Sequence, residues 1–348
     1  MSIKQIAKMT GVSPATVSRV LNNPDYRCSS PEMRDKIWNA AMELHYVPNS
    51  AARSLRQGRE KEETWYINIL ITRMDASRTD PFFTELLHII ESEIHRHVCI
   101  LSKVWYIPVF SDDKKCSRIN IRQSIAEMQK DVEGYNDGLI IIGKCNHEII
   151  RECKRIYKGV ISVNRNSTNY EIDEILCDGQ KIASMATEYL ISLGHKRIGY
   201  VGEIQNEARY EGFCKTLEKH EIELLPACIR ECPQTEKDGF EAMKRWFMNP
   251  SAPTAIYCAN DITAIGMLKF LSIQKGKYMP PSIIASDGIE EAGICQPMLT
   301  TIELPKQEMG RFALNLLTDR LHGRHKGVVR MELEGRLAIR NSCYPYES

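Results

Sequence analysis

The feature that most constrains the fold of this chain is an alternation of short apolar runs with longer amphipathic stretches, which starts near Tyr66. Short apolar runs bounded by polar residues are typical of buried strands, and the stretches between them have helical spacing. Strands that alternate with helices form parallel sheets with helices on both faces. The predicted strands are residues 67–72, 138–142, 160–163, 197–201 and 255–258, and the predicted helices are residues 82–97, 147–156, 209–220 and 261–271.

This alternation is too long for one doubly wound sheet, because the chain has 348 residues. We therefore expect two similar lobes with a ligand cleft between them. The predicted two-lobed domain covers residues 62–348. Its first lobe is expected at about 62–163 and 289–320, and its second at about 164–288 and 321–348.

The first sixty residues differ from the rest in charge. Residues 1–61 contain ten Lys and Arg against five Asp and Glu, although the formal net charge of the whole chain is only +1. A basic segment can neutralise nucleic-acid phosphates, but it is more often a solvated surface. Charge alone therefore leaves both interpretations open.

Helical patterns in this segment predict three short helices. Two apolar stripes flank a turn in which Gly11 permits the tight bend, Ser13 caps the next helix and Pro14 opens it. A third helix is predicted from about Ser30, with apolar residues on one face at Met33, Ile37, Ala40, Ala41 and Leu44. The pattern fits either a helix-turn-helix unit or a helical cap on the larger domain.

The residues themselves decide between these two alternatives. Residues 3–7 (IKQIA) and 11–22 (GVSPATVSRVLN) closely resemble the DNA-reading signature of the lac repressor (lac/gal) family, and residues 46–49 and 51–55 resemble its hinge. Segments of the large domain resemble the same family's periplasmic-binding-protein-like core, namely residues 80–83, 193–198, 209–213, 259–261, 299–302 and 340–342. Segments 11–22 and 80–83 look most like the branch that regulates beta-galactoside use.

This resemblance implies a small all-α helix-turn-helix DNA-binding domain at residues 1–48 and a hinge helix with linker at 49–61. The remainder is the α/β two-lobed, periplasmic-binding-protein-like domain with parallel sheets. The residues implied in DNA binding are Pro14, Ala15, Thr16, Ser18, Arg19, Asn22, Asn49, Arg53, Leu55 and Arg56.

Arg19 is expected to carry most of the hydrogen-bonded base readout, because Pro14 and Ala15 have no donor for a bidentate contact. By the resemblance, Thr16 and Ser18 hold phosphates. Leu55 is implied to wedge into the minor groove and bend the duplex. The alternative is that Leu55 is an ordinary buried linker leucine.

The expected effector site lies beyond the carboxyl ends of the strands, where parallel sheets bind ligands. The resemblance places Arg209, Asn260 and Asp287 at effector-contacting positions, and the residues that line the cleft are Phe82, Phe83, Asn164 and Arg165. Directed polar groups beside aromatic faces suit a carbohydrate. Two alternatives stay open: the two phenylalanines are core residues, and Asp261 caps its helix.

Two segments depart from the family pattern. Ala285-Ser286-Asp287-Gly288 stands where the family usually has a Gly-aromatic-Asp-Asp turn, and residues 98–118 match no part of it. The first departure means that the family's ligand geometry is not carried over to Asp287. For the second, the resemblance predicts no structure for this part of the first lobe.

Other classes of protein fit the sequence less well. We find no phosphate-binding Gly-rich loop, no Gly-x-Ser-x-Gly elbow and no paired metal-ligand spacing among the 12 cysteines, so we expect no enzyme, no metal and no cofactor. A polar start and the lack of a long apolar run predict a cytoplasmic protein without membrane association. A stand-alone sugar-binding protein would have a secretory signal and would lack a helix-turn-helix, so the sequence does not favour it.

We therefore expect a sequence-specific transcriptional regulator that binds double-stranded, pseudo-palindromic operator DNA as a homodimer. The expected function is repression of carbohydrate-use genes, with release by a small sugar effector. The alternative is a corepressor-dependent regulator that senses a non-sugar metabolite.

Overall fold

The computed structural model describes residues 3–22, 30, 32–34, 36–37, 40, 64–73, 80–132, 134–247, 249–275 and 279–346. The chain divides into two compact units, Met1–Glu63 and Thr64–Ser348. In the described part of the chain, no helix is both long and apolar enough to cross a membrane.

The first unit contains the predicted helical pair, α1 (Ile3–Thr10) and α2 (Pro14–Asn22). Gly11 has a φ of +74°, a left-handed conformation that glycine adopts without steric cost. Ser13 caps α2 as predicted, since its Oγ accepts a hydrogen bond from the Thr16 backbone N–H at 3.1 Å.

The two helices bury their predicted apolar faces together with residues of the third helix. The core of this unit contains Ile6, Ala7, Val17, Val20, Leu21, Ile37 and Ala40. Residues 32–34, 36–37 and 40 are helical as expected. The predicted core positions Ala41 and Leu44 lie outside the described residues.

The second unit alternates strands and helices throughout. Its strands are β1 (Trp65–Ile71), β2 (Cys99–Tyr106), β3 (Gly138–Ile142), β4 (Gly159–Asn164), β5 (Asp173–Leu176), β6 (Ile198–Gly202), β7 (Ile229–Glu231), β8 (Ala255–Cys258), β9 (Ser282–Asp287), β10 (Thr300–Glu303), β11 (Arg330–Glu332) and β12 (Arg336–Ala338). Its helices are α3 (Pro81–Arg96), α4 (Asp113–Cys116), α5 (Ile121–Asp131), α6 (His147–Ile156), α7 (Gly179–Ser192), α8 (Ala208–Lys219), α9 (Glu236–Trp246), α10 (Asp261–Ser272), α11 (Glu290–Ile294) and α12 (Lys306–Leu321).

The strands form two six-stranded sheets, one in each lobe. The orders are β11-β5-β4-β3-β1-β2 and β12-β10-β9-β8-β6-β7. Neighbouring strands run parallel except β12, which is antiparallel to β10. Strands β3 and β8 are buried along their whole length, as expected for strands covered by helices on both faces. The predicted two-lobed architecture with parallel sheets is therefore confirmed.

The predicted lobe boundaries are wrong at three strands. Strands β5 and β11 belong to the first sheet, and β10 belongs to the second. The apolar pattern does not reveal β5, because it begins with two buried acids, Asp173 and Glu174. Asp173 accepts hydrogen bonds from Arg320 at 2.6 Å and from the Val329 backbone at 2.8 Å, and these partners come from distant parts of the chain.

Residues 98–118, which matched no expectation, form the edge of the first sheet and a short helical segment. Strand β2 pairs with β1 in parallel, with a register shift between Ile67 and Asn68. A 3-10 helix (Pro108–Ser111) and α4 follow, and Phe110 anchors them as a fully buried side chain. This segment places Asp113 at the face where the two lobes meet.

Candidate functional site

The predicted cleft residues come together at the carboxyl ends of both sheets. Arg165 follows β4 of the first lobe, and Asp287 ends β9 of the second. The two side chains form an ion pair that joins the lobes. The Arg165 guanidinium also lies over the Phe82 ring, with its Cζ 4.6 Å from the ring centroid.

Asp287 is buried, with 2% of its side chain exposed. Burial raises the pKa of this carboxyl to about 8, and the nearby Arg165 charge opposes that rise. The Arg165 guanidinium is equally enclosed, and desolvation lowers its pKa although Asp287 acts in the opposite direction. Protonation of Asp287 therefore removes the negative charge that faces Arg165 across the two lobes.

Arg209 lies in a second buried pair on the second lobe. Its Nε donates to Glu207 Oε1 at 2.8 Å, and Nη1 donates to the Ala259 carbonyl. Burial alone would raise the pKa of Glu207, but the charges of Arg209, Arg73 and Arg165 outweigh it and lower the pKa to about 2. Glu207 is thus ionised and holds the Arg209 guanidinium in place.

Glu207 is a cleft residue that was not among the predicted site residues. It is the N-cap of α8, where its side chain accepts from the Arg209 backbone, and it is 1% exposed. The signal available was an acid two residues before a predicted effector arginine. An acid at this position is also common at the start of an exposed helix. The buried Glu207–Arg209 pair could therefore be identified only from the structure.

Asn260, and not Asp261, caps helix α10. Asn260, expected at an effector contact, is the N-cap of α10: its Oδ1 accepts from the Thr263 N–H at 3.2 Å, and its Nδ2 donates to the Gln234 carbonyl at 3.0 Å. Asp261 does not cap the helix. Its carboxylate instead accepts from the Ile289 backbone at 3.0 Å and from the Thr301 hydroxyl at 2.5 Å.

Phe82 and Phe83 are both core and cleft residues. They are 2% and 3% exposed, and their rings meet edge to face with centroids 5.2 Å apart. Asp80 caps their helix through the Phe82 N–H. Asn164 is half-buried at the end of β4, and its Nδ2 donates to the Asn166 carbonyl at 2.9 Å.

Several further contacts join the lobes around this cluster. Arg73 after β1 pairs with Glu203 after β6 at 2.7 Å. Lys144 donates to the Gln205 carbonyl at 3.0 Å, and Asn206 donates to Asp113 at 3.0 Å. The residues of the second lobe in these contacts all lie in the loop after β6, so three residues of the first lobe bind this loop.

The residues predicted to read DNA on the second helix all lie on α2. Pro14, Ala15 and Arg19 are exposed, and Thr16 and Ser18 are half-buried. The opposite face packs into the core of the unit. The side chain of Asn22 lies outside the described residues, and so do all the predicted hinge contacts, namely Asn49, Arg53, Leu55 and Arg56.

Both units of the chain resemble known protein families. Residues 2–49 match the family model described as bacterial regulatory proteins, lacI family, and residues 187–343 match the model of a periplasmic binding protein-like domain. The HTH-type transcriptional repressor PurR of Haemophilus influenzae (strain ATCC 51907 / DSM 11121 / KW20 / Rd) is 31% identical over 360 residues, which cover 98% of each chain.

Two solved structures have the same fold. The complex of the transcriptional regulator CelR with cellobiose has a TM-score of 0.65 at 21% identity and covers 98% of this chain and 99% of that one. The lac repressor dimer bound to operator and the anti-inducer ONPF has a TM-score of 0.64 at 21% identity and covers 99% of each chain.

The full-length similarity to a repressor, rather than to an enzyme, agrees with a helix-turn-helix whose polar face is exposed and with a two-lobed domain whose cleft collects buried charge. This chain belongs to the lacI family of bacterial regulatory proteins and is a DNA-binding transcriptional repressor, not an enzyme.

Proposed function

We propose that this repressor controls genes of carbohydrate use and that a small neutral sugar in the cleft releases it from its operator. The observation that carries this proposal is that each buried guanidinium of the cleft already faces a carboxyl group. Arg165 lies against Asp287, and Arg209 against Glu207, all four buried. Sugar hydroxyls suit such a site because they accept hydrogen bonds from guanidinium groups and donate to carboxyl oxygens without adding a charge.

The aromatic neighbour of the cluster supports the same ligand. The Phe82 ring packs against Arg165, so a sugar bound to the Arg165 guanidinium would lie close to an aromatic side chain as well as to a charge. The similar CelR structure contains cellobiose, and this supports a sugar for the present chain at the level of the fold.

A planar heteroaromatic corepressor is the second candidate. Arg165 lies 4.6 Å from the Phe82 centroid and 5.7 Å from that of Phe83, so the cleft can also stack a flat ring. Such a ligand would strengthen operator binding instead of weakening it. The direction of the response therefore separates the two candidates.

DNA recognition is proposed to follow the helix-turn-helix. Pro14, Ala15 and Arg19 would face the major groove, Thr16 and Ser18 would bind phosphates, and the proposed set is completed by Asn22, Asn49, Arg53, Leu55 and Arg56. Because operators of this type are pseudo-palindromic, we propose a homodimer, which agrees with the dimer in the similar lac repressor structure. We also place the protein in the cytoplasm, where bacterial operator DNA lies.

The proposed mechanism has two states. A sugar that binds more tightly to one arrangement of the lobes shifts the population toward it, and the operator binds more tightly to the other. The contacts between the lobes, including Arg165 with Asp287, are the bonds that such a shift rearranges.

The test is fluorescence anisotropy of an operator selected from random DNA by the protein. The labelled operator is titrated at fixed salt with and without a panel of sugars that includes beta-galactosides. Loss of affinity with one sugar supports the proposal. A gain of affinity with a flat metabolite supports the corepressor, and failure to select any palindromic DNA contradicts the homodimer.

The location of the effector is tested with a variant that keeps the cleft neutral. In Glu207→Gln with Arg209→Gln, the sugar response should disappear while sugar-free operator binding survives. The matched control is Glu188→Gln with Lys219→Gln, an exposed pair of the same lobe at 2.8 Å, which should keep the response. A response that survives the buried double substitution would place the effector elsewhere.

A further inference from the structure

A cavity lies at the edge of the second sheet that is opposite the effector cleft. Its volume is about 390 Å³, which is within the range of small-molecule sites. Arg197 immediately precedes β6, Thr254 precedes β8, and Ser282 begins β9, so the amino ends of these strands line it. Asp287 of the effector cleft is at the other end of β9. The cavity is therefore separate from the cleft.

Most of the cavity wall is apolar. Met243 and Trp246 come from the end of α9, Phe247 follows them, and Leu271 comes from α10. Trp246 is 1% exposed, and its Nε1 donates to the Ala227 carbonyl at 3.0 Å. The indole is thus fixed in orientation, and the wall suits a flat apolar ring.

His195 is a polar lining residue whose bonds are already made within the protein. Its Nε2 lies 3.1 Å from the Tyr344 carbonyl oxygen, which can only accept, so Nε2 carries the proton. Its Nδ1 lies 3.1 Å from the Thr254 hydroxyl. Burial lowers the pKa of His195, against the effect of the Tyr344 bond. This side chain therefore brings no positive charge to the cavity at neutral pH.

Arg197 has a charge for which the described residues supply no partner. It is the one lining residue among them with a permanent charge, its buried Nε has no hydrogen-bond partner there, and it forms no ion pair with any of them. Arg230 also forms no ion pair with the described residues: its Nη1 donates to the Ile229 carbonyl at 3.4 Å, its Nε is buried without a described partner, and its Cζ lies 5.3 Å from the Trp246 ring centroid.

The two guanidinium groups act on the same corner of the lobe. Burial raises the pKa of the Cys228 thiol, and both Arg197 and Arg230 oppose that rise. A partly buried guanidinium that lacks a carboxylate is costly, and a planar anion with two oxygens is its natural complement.

We propose that this cavity binds an aromatic carboxylate, with its ring against Trp246 and Met243 and its carboxylate on the Arg197 guanidinium. The site goes beyond the proposed function, because it uses neither the cleft nor the DNA-reading helix. Charge complementarity selects the anion, and the apolar wall selects the ring.

The experiment is isothermal titration calorimetry of the full chain with 2-naphthoate, compared with the uncharged 2-naphthamide. We expect saturable binding of one naphthoate per chain and binding of the amide that is at least about tenfold weaker, since a charge-assisted hydrogen bond is lost. Arg197→Gln should weaken naphthoate binding by about the same factor. Lys196→Gln, which removes the exposed cation next to it, should leave the affinity within about twofold.

A second variant locates the ligand. Ala252 lines the cavity, and Ala252→Phe should fill it and abolish naphthoate binding. The Arg197→Gln variant should keep operator binding and the sugar response, so a failed sugar experiment leaves this test intact. No saturable naphthoate binding, equal binding of the amide, or an unchanged affinity in Arg197→Gln would each overturn the proposal. The comparison of 2-naphthoate with 2-naphthamide uses the unaltered chain. It therefore tests the proposal even if a variant does not fold.

Discussion

Two buried carboxyl groups of the cleft, Glu207 and Asp287, have pKa values shifted in opposite directions. Burial acts to raise both. Arg209 bonds directly to Glu207 and lowers its pKa to about 2. The pKa of Asp287 stays raised at about 8 because burial outweighs the Arg165 charge, and the negative charges of Asp261 and Asp80 add to the rise. The two groups therefore respond to different ranges of pH.

Asp287 should make the stability of the chain fall as pH rises. A carboxyl with a raised pKa binds its proton more tightly in the folded protein, so its contribution is fully present below its ordinary pKa of 3.8 and is lost as pH rises through about 8. We expect the difference in free energy of unfolding between the wild type and Asp287→Asn to decrease by up to about 1.4 kcal/mol per pH unit between pH 5 and 7. Urea denaturation at several pH values measures it.

The control is Asp319→Asn, which changes an exposed carboxylate paired with Arg324 at 3.0 Å. The decrease with pH measured for Asp287→Asn should exceed any that is measured for this control. A flat difference for Asp287→Asn would mean that Asp287 is ionised throughout, and that its bond to Arg165 outweighs burial.

Arg19 on the exposed face of α2 should determine operator specificity. We expect Arg19→Ala to weaken operator binding by about 1–3 kcal/mol and to reduce discrimination at one base pair of each half-site. Anisotropy with single-base operator variants measures both effects. The control is Lys36→Ala, at an exposed helical position of the first unit outside α2. Equal losses on every operator variant would assign Arg19 to phosphate binding instead.

The sequence located the individual charged residues better than it located their partners. Arg209 and Asp287 could be placed in the cleft because the resemblance and the strand-end rule agree on them. The role of Glu207 could not be predicted, since its pairing depends on burial. The capping bond of Asn260 to the Thr263 N–H is local, but Asp261 was considered as the cap of that helix instead. Gln234, which accepts from Asn260 through its carbonyl, is distant in sequence.

At the scale of elements, helices α9 and α10 pack at unusually close range. A Cβ atom on Gly239 would overlap the backbone oxygen of Thr263, and one on Gly266 would overlap the backbone oxygen of Glu236. Backbone atoms cannot move aside as the end of a long side chain can. The close contact of these helices therefore requires glycine at both positions.

Gly239→Ala or Gly266→Ala should destabilise the second unit by at least about 2 kcal/mol, because the helices must separate. The measurement is the free energy of unfolding in urea. Gly293→Ala in α11 is the matched control, since an added Cβ there meets nothing within 4 Å, and it should be neutral within about 1 kcal/mol. Equal effects at the three positions would mean that the helices separate at little cost and that close packing does not require glycine at Gly239 or Gly266.

Elements with a clear apolar pattern were predicted well. Strand β3 and helix α6 have the predicted bounds, and β8 is also as expected. Strand β5 was missed because its first two residues are acids that become buried through Arg320 and the Thr168 backbone. Apolar runs predict buried strands. A strand that begins with acidic residues lacks such a run and is therefore not predicted.

At the scale of the whole molecule, polar bonds join the two lobes at the cleft, in addition to an apolar core that includes residues of both sheets. Arg73, Lys144 and Asp113 of the first lobe all contact the loop after β6. These three residues are far apart in sequence, and Asp113 lies in the segment that matched no expectation. The two-lobed fold could be predicted from sequence, but the bonds between the lobes depend on how the lobes are oriented.

The Arg73–Glu203 pair should stabilise the closed arrangement of the lobes. Both oxygens of Glu203 accept from the Arg73 Nη1 at 2.7 and 2.8 Å, and the Arg73 side chain is only 12% exposed. In a double-mutant cycle of Arg73→Gln and Glu203→Gln, we expect a coupling free energy of about 1 kcal/mol. The exposed pair Lys269–Glu236, which lies within the second lobe, should give less than about 0.5 kcal/mol.

The functional consequence follows from the two-state mechanism. If the sugar binds the closed lobes, each single substitution makes closure less favourable, and the sugar concentration for half-release of the operator should rise about fivefold. The substitution Lys269→Gln should leave that concentration unchanged, because it breaks a bond inside one lobe. A concentration that falls instead would show that the sugar binds the open lobes and that the Arg73–Glu203 bond opposes induction.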